Sequence, residues 1–167
     1  MFGKGVKLFE LFGFPVRANL SWLLIAFLVT WSLAEGFFPA RHEGLSTAQY
    51  WGMGVAGTIG LFLCVIMHEF SHSLVARRYG MPIQGITLFI FGGVAEMQDE
   101  PASPKGELLM ALAGPAASIL IALFFFGLEV VGNFARWFEP VISVVSYLGW
   151  IKIVLVAINI LADFPLD

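Results

Sequence analysis

Charge is nearly absent from four long stretches of the chain. Residues 18–34 run without a charged side chain between Arg17 and Glu35, 44–67 between Glu43 and His68, and 108–128 between Glu107 and Glu129. Residues 140–162 carry only Lys152. Each stretch is close to the ~20 residues with which a helix crosses the hydrocarbon of a bilayer. The pattern predicts four helices, roughly 18–38, 48–78, 106–132 and 141–162. A fifth uncharged stretch, 79–95, is interrupted by Gly80, Pro82, Gly85, Gly92 and Gly93. Between those breakers, residues 86–91 (Ile-Thr-Leu-Phe-Ile-Phe) are β-branched and aromatic, as strands are. Non-helical backbone at membrane depth is tolerated only inside protein or beside a water-filled cavity. A small re-entrant β element over about residues 83–95 is therefore expected, with an edge open to a partner strand.

Positive charge orients the predicted spans. Three basic residues precede the first (Lys4, Lys7, Arg17) and one follows it (Arg41). Three lie between the second and third (Arg77, Arg78, Lys105), and Arg136 alone lies between the third and fourth. The alternation puts the N-terminus, the 77–105 region and the end of the fourth helix in the cytoplasm. The first helix reads as a retained span and not as a signal peptide, because its basic flank is long and no clean small-residue cleavage site follows.

Composition strengthens this picture. Of 167 residues, 59% are hydrophobic and 13% charged, against about 45–50% and about 25% in soluble domains. A small soluble domain leaves too much surface in water to hide that many apolar side chains, and a disordered chain needs the opposite balance. The net charge of −3 gives no basic footprint for nucleic acid. The single cysteine, Cys64, excludes an internal disulfide framework and a Cys-based zinc finger. The fold class is an all-α polytopic membrane protein with about four transmembrane helices, a small β element and one domain over residues 1–167.

The second predicted helix ends in His68-Glu69-Phe70-Ser71-His72, an H-E-x-x-H pattern. Two His four residues apart share one face of a helix, so both imidazoles can bind one metal ion. Glu69 stands beside them to take a proton from a metal-bound water. Zinc suits a His-rich site with an open position, and a catalytic zinc commonly takes a third protein ligand. A His pair can also cap a helix end, but ionisable residues within a span are costly and usually functional. Ten residues separate His68 from Arg78, about 15 Å of helix, so the metal would sit in the cytoplasmic half of the bilayer. His42, Glu129 and Glu139 lie at the outer ends. Glu96, Asp99, Glu100 and Glu107 sit in a polar stretch. Asp163 and Asp167, at the inner end of the fourth helix, are left as candidate third ligands.

These residues belong to a longer pattern. HEFSH closing a span, FGGVAEM at 91–97, AGPAAS at 113–118, and an Asn-led run from Asn159 to Asp167 occur in order. Together they resemble the site-2 protease family of intramembrane zinc metalloproteases, of the PDZ-free type, over nearly the whole chain. The resemblance implies one zinc per chain, with His68, His72 and Asp167 as ligands and Glu69 as general base. It implies substrate-binding roles for Asn159, Gly92 and Gly93, and close packing of the third helix at Gly114 and Pro115. The substrate would be a transmembrane protein, single-pass, cleaved within or near its membrane segment, and the enzyme would be a multi-pass cell-membrane protein with its site toward the cytoplasm. Ala162 replaces a Pro usual in the family, and the family pattern continues beyond Asp167 with Gly and further helices. The chain thus resembles the family's catalytic core ending at its last ligand. The alternative reading is a non-catalytic or inactive membrane metal-binding protein; if His68 and His72 lined an ion path, the outer halves of the spans would have to be polar, and they are not.

Three further features read as structural. Cys64 is expected to pack as a small buried residue, Lys152 to find a partner inside the protein, and the tryptophans near span ends to anchor at the interface.

Overall fold

The computed structural model describes residues 5–81, 83–89, 92–97 and 104–163. Strands β1 (Val6–Leu11) and β2 (Phe14–Ala18) precede helix α1 (Leu20–Ser32), which widens into a π-helical turn at Leu33–Phe37. Helix α2 (Thr47–Arg78) follows, then β3 (Ile83–Phe89) and β4 (Gly92–Met97), α3 (Pro104–Phe134) and α4 (Glu139–Asp163). Four of its helical segments are long and apolar enough to cross a membrane, the first spanning Leu20–Phe37. The apolar runs thus place the helices closely, and the chain has the architecture of a multi-pass membrane protein.

The β element is larger than the sequence pattern predicts. Four strands form one sheet in the order β1-β2-β3-β4. β1 and β2 make a hairpin around Phe12 and Gly13, both with positive φ. β2 then runs parallel to β3, with Val16 opposite Ile86 and Ala18 opposite Leu88. β3 pairs antiparallel with β4, with Leu88 opposite Gly93 and Phe89 opposite Gly92. This corrects the expectation that residues 86–91 offer a free edge. β3 ends at Phe89, residues 90 and 91 lie outside the described residues, and β3 is hydrogen-bonded on both sides. The edges among the described strands are β1 and β4. Gly85 has φ +153°, and a Cβ there would lie 2.7 Å from the Pro15 carbonyl oxygen, so the close approach of β2 requires a glycine at that position.

The residues group into two compact units. One comprises residues 1–25 and 65–117 and contains the sheet. On β2, Phe14, Val16 and Ala18 are buried in alternation, as a strand with one covered face requires. Val16, Ala18 and Leu88 pack with Ile66 of α2, and Phe14 and Ile86 with Phe70. Arg77 closes this face by donating to the Phe12 carbonyl at 3.0 Å.

The other unit comprises residues 26–64 and 118–167, with a core of Leu33, Phe38, Met53, Tyr147 and Leu148. Small residues let its helix backbones come close, as in membrane helix pairs generally. A Cβ on Gly54 would lie 2.8 Å from the Thr30 carbonyl oxygen and 3.1 Å from Ala34 Cβ. The Thr30 hydroxyl donates to Thr58 at 2.9 Å, and Thr58 donates to the Gly54 carbonyl at 2.8 Å. Lys152, 2% exposed, donates to the Cys64 carbonyl at 3.3 Å, an interior partner of the kind the sequence calls for. Cys64 is itself buried. Gly54→Ala is expected to destabilise the protein by about 1–3 kcal/mol, the usual cost of overpacking. Gly52, with open space at its Cβ position, is expected to tolerate Ala with no loss. Thermal midpoints of the two variants in detergent check this pair.

Candidate metal centre

Helix geometry separates the two tasks of the α2 end. Ile66 and Phe70 face the sheet. His68 and His72 each follow one of these by two residues, which is about 200° around a helix at 3.6 residues per turn. The imidazoles therefore point away from the sheet, and α3 meets them there. His68 is buried, while His72 and Glu69 are half-buried.

The two rings converge. Nε2 of His68 lies 3.1 Å from Nε2 of His72, with ring planes inclined at 78°. Nδ1 of His72 lies 2.6 Å from the carbonyl oxygen of Met110. A carbonyl can only accept, so Nδ1 carries the proton and Nε2 of His72 presents a lone pair toward His68. Holding the second ring nitrogen on a carbonyl is how proteins fix the tautomer of a metal-binding histidine. Two zinc–nitrogen bonds of about 2.0–2.1 Å at a tetrahedral angle separate the nitrogens by roughly 3.3–3.4 Å. The observed 3.1 Å fits a shared zinc with little adjustment.

Gly114 shapes the space over the rings. A Cβ there would fall 2.1 Å from His72 Nε2 and 2.6 Å from His68 Cε1. Only a residue without a side chain lets α3 pass this close and leaves the ring nitrogens open. Pro115, the next residue inside α3, has no N–H for the carbonyl one turn back, at Ala111, which loosens the helix ladder beside the pair. The Met110 carbonyl was not legible as a site group, because a backbone acceptor leaves no mark in side-chain chemistry.

The remaining candidates are less assembled. Gly92 and Gly93 open β4, opposite Phe89 and Leu88. Asn159 is half-buried near the end of α4 in the second unit. Asp167 lies outside the described residues. Among the described residues, no group of three His, Cys, Asp or Glu side chains is placed to hold a metal ion.

Comparisons with known proteins agree on one lineage. Residues 56–139, just over half of the chain, match Peptidase family M50. The candidate zinc metalloprotease sll0528 of Synechocystis is 37% identical over 164 residues, covering 98% of this chain and 42% of that protein. Rip3 of Mycobacterium tuberculosis, also a candidate zinc metalloprotease, is 35% identical and covers 97% of this chain and 41% of its own length. The chain therefore spans about two fifths of the length of these relatives. The solved site-2 protease from Methanocaldococcus jannaschii superposes with a TM-score of 0.65 at 26% identity, covering 98% of this chain and 68% of that one.

Proposed function

Because the chain belongs to peptidase family M50, the site-2 protease family, we propose that it is the catalytic core of an intramembrane zinc metalloendopeptidase that binds one zinc ion. The observation that carries this reading is the convergence of the His68 and His72 Nε2 atoms under Gly114. His68 and His72 hold the metal, and Asp167 is the proposed third ligand. A zinc ion there supplies Lewis-acid polarisation of the scissile carbonyl and lowers the pKa of water at the metal. Glu69 receives the proton of the attacking water on its carboxylate and returns it to the leaving amine. The Met110 carbonyl keeps the His72 ring in one tautomer through the cycle.

The substrate is proposed to be a transmembrane protein, single-pass, that presents extended backbone, since a helix hides its carbonyls in its own hydrogen bonds. β4, with Gly92 and Gly93 at its start, is the edge proposed to pair with such a strand, in place of β3. Asn159 is proposed to position the substrate. The charge alternation supports a cell-membrane protein with its site toward the cytoplasm.

Metal removal tests the reading. The full-length protein in nanodiscs is expected to hold about one zinc per chain by elemental analysis. A chelator should stop cleavage of a substrate bearing a transmembrane segment, and added zinc should restore it. His68→Ala should hold no zinc. Cleavage indifferent to the chelator would sink the metalloprotease assignment, and zinc binding without any cleavage would favour the non-catalytic alternative.

A further inference from the structure

The second unit contains a cavity of about 590 Å³ that the protease reading does not use. Its volume lies within the range of about 300–1,000 Å³ typical of small-molecule sites. One face of α4 forms its long wall. Glu139, Ser143, Ser146, Trp150 and Val154 follow one another at spacings of four, three, four and four residues. From Glu139 to Val154 that wall extends about 22 Å. The cavity therefore begins at the helix ends, at headgroup level, and continues into the apolar part of the span.

The two ends differ in chemistry. At the helix ends the lining includes Glu129, Glu139 and Arg41. The Arg41 guanidinium is held 3.8 Å above the Phe37 ring. Its neighbour His42 bridges to α4, with Nε2 2.6 Å from Ser143 Oγ and Nδ1 3.2 Å from Glu139 Oε1. The Tyr50 hydroxyl donates to the His42 carbonyl. These contacts tie the loop that carries Arg41 to the head of α4. At the far end the lining is apolar, and Trp150 and Val154 are 62% and 47% exposed.

Two carboxylates against one guanidinium call for a ligand head with both an ammonium and an anion. The guanidinium suits a phosphate. A headgroup with a phosphate alone would bring no cation to Glu129, or to Glu139 beyond its His42 contact. A head without a tail would leave the apolar wall unused. We propose that this cavity binds one amine-bearing phospholipid, its ammonium between Glu129 and Glu139, its phosphate at Arg41 and an acyl chain along Trp150 and Val154.

The test is native mass spectrometry of the delipidated full-length protein with phosphatidylethanolamine, phosphatidylglycerol or soluble phosphoethanolamine. The expected result is one retained phosphatidylethanolamine per chain, preferred about tenfold over phosphatidylglycerol. Glu139→Gln should erase the preference, and Arg41→Ala should weaken retention of both lipids, because both carry the phosphate. Val154→Trp, at an exposed position, should weaken retention of the lipid by filling the apolar end. Zinc content of the variants should stay at the parent level, which separates this site from the metal centre. Equal retention of the two lipids, or variants that bind like the parent, would overturn the proposal. Phosphoethanolamine binding as tightly as the lipid would overturn it too, because the tail would then contribute nothing.

Discussion

Glu69→Gln is expected to leave about one zinc per chain and to lower cleavage by ~10²–10⁴-fold, the usual contribution of a positioned general base. The amide keeps the size and most of the hydrogen-bonding capacity of the carboxylate but cannot take up a proton at neutral pH. His72 is anchored by the Met110 carbonyl, and both rings are set by a helix whose opposite face, at Ile66 and Phe70, is fixed against the sheet. Zinc analysis and cleavage of one membrane-embedded substrate, measured on the same preparation, check the expectation. Cleavage at the parental rate with zinc in place would assign the proton transfer to another group. Loss of zinc together with activity would make Glu69 a structural support of the site.

Gly114→Ala is expected to be nearly as damaging by a different route. The added methyl would stand 2.1 Å from His72 Nε2 and 2.6 Å from His68 Cε1, well inside van der Waals contact. Either α3 withdraws or the rings turn aside, and both outcomes separate the nitrogens from a common metal position. Displacement of catalytic groups by about 1 Å costs on the order of 10²-fold in rate, and a disturbed ligand pair also weakens zinc. The variant should therefore contain much less than one zinc per chain and cleave at least ~10²-fold more slowly. Gly127→Ala on the same helix meets nothing within 4 Å and should match the parent in both measurements. A Gly114→Ala protein with full zinc content would show that α3 does not crowd the rings.

The two predictions differ in how far they could be reached without coordinates. Helices were legible because a bilayer demands long uncharged runs, and the breaks at Arg17, Glu35, Glu107 and Glu129 bound them. The His pair was legible because a spacing of four residues has one meaning on a helix. The β1–β2 hairpin does not follow from the charge pattern. Val6-Lys7-Leu8-Phe9-Glu10-Leu11 reads by charge as a basic flank, although Gly13 and the alternation of Phe14, Val16 and Ala18 carry a hairpin signal. The interior place of β3 was beyond reach, since a strand's composition does not name its neighbours. Its parallel partner lies on the far side of two helices. Gly114 could be flagged as a small residue, but its distance from two imidazoles depends on how α3 passes α2. Asp167 rests on the family pattern alone.

The parallel pairing of β2 with β3 has a consequence for the order of synthesis. Val16 meets Ile86, 70 residues later in the chain. Ribosomes add roughly 5–20 residues per second, so β2 emerges about 4–14 s before the strand that will cover it. In that interval α1 and α2 must both be threaded, because the sheet unites the segment ahead of the first with the segment behind the second. The hairpin must wait as a two-stranded ribbon, which is marginal by itself in water. Until β3 arrives, α2 lacks the complete surface against which Ile66 and Phe70 settle. The His68–His72 pair thus acquires its final bearing only after β3 has emerged, once both preceding helices have been made.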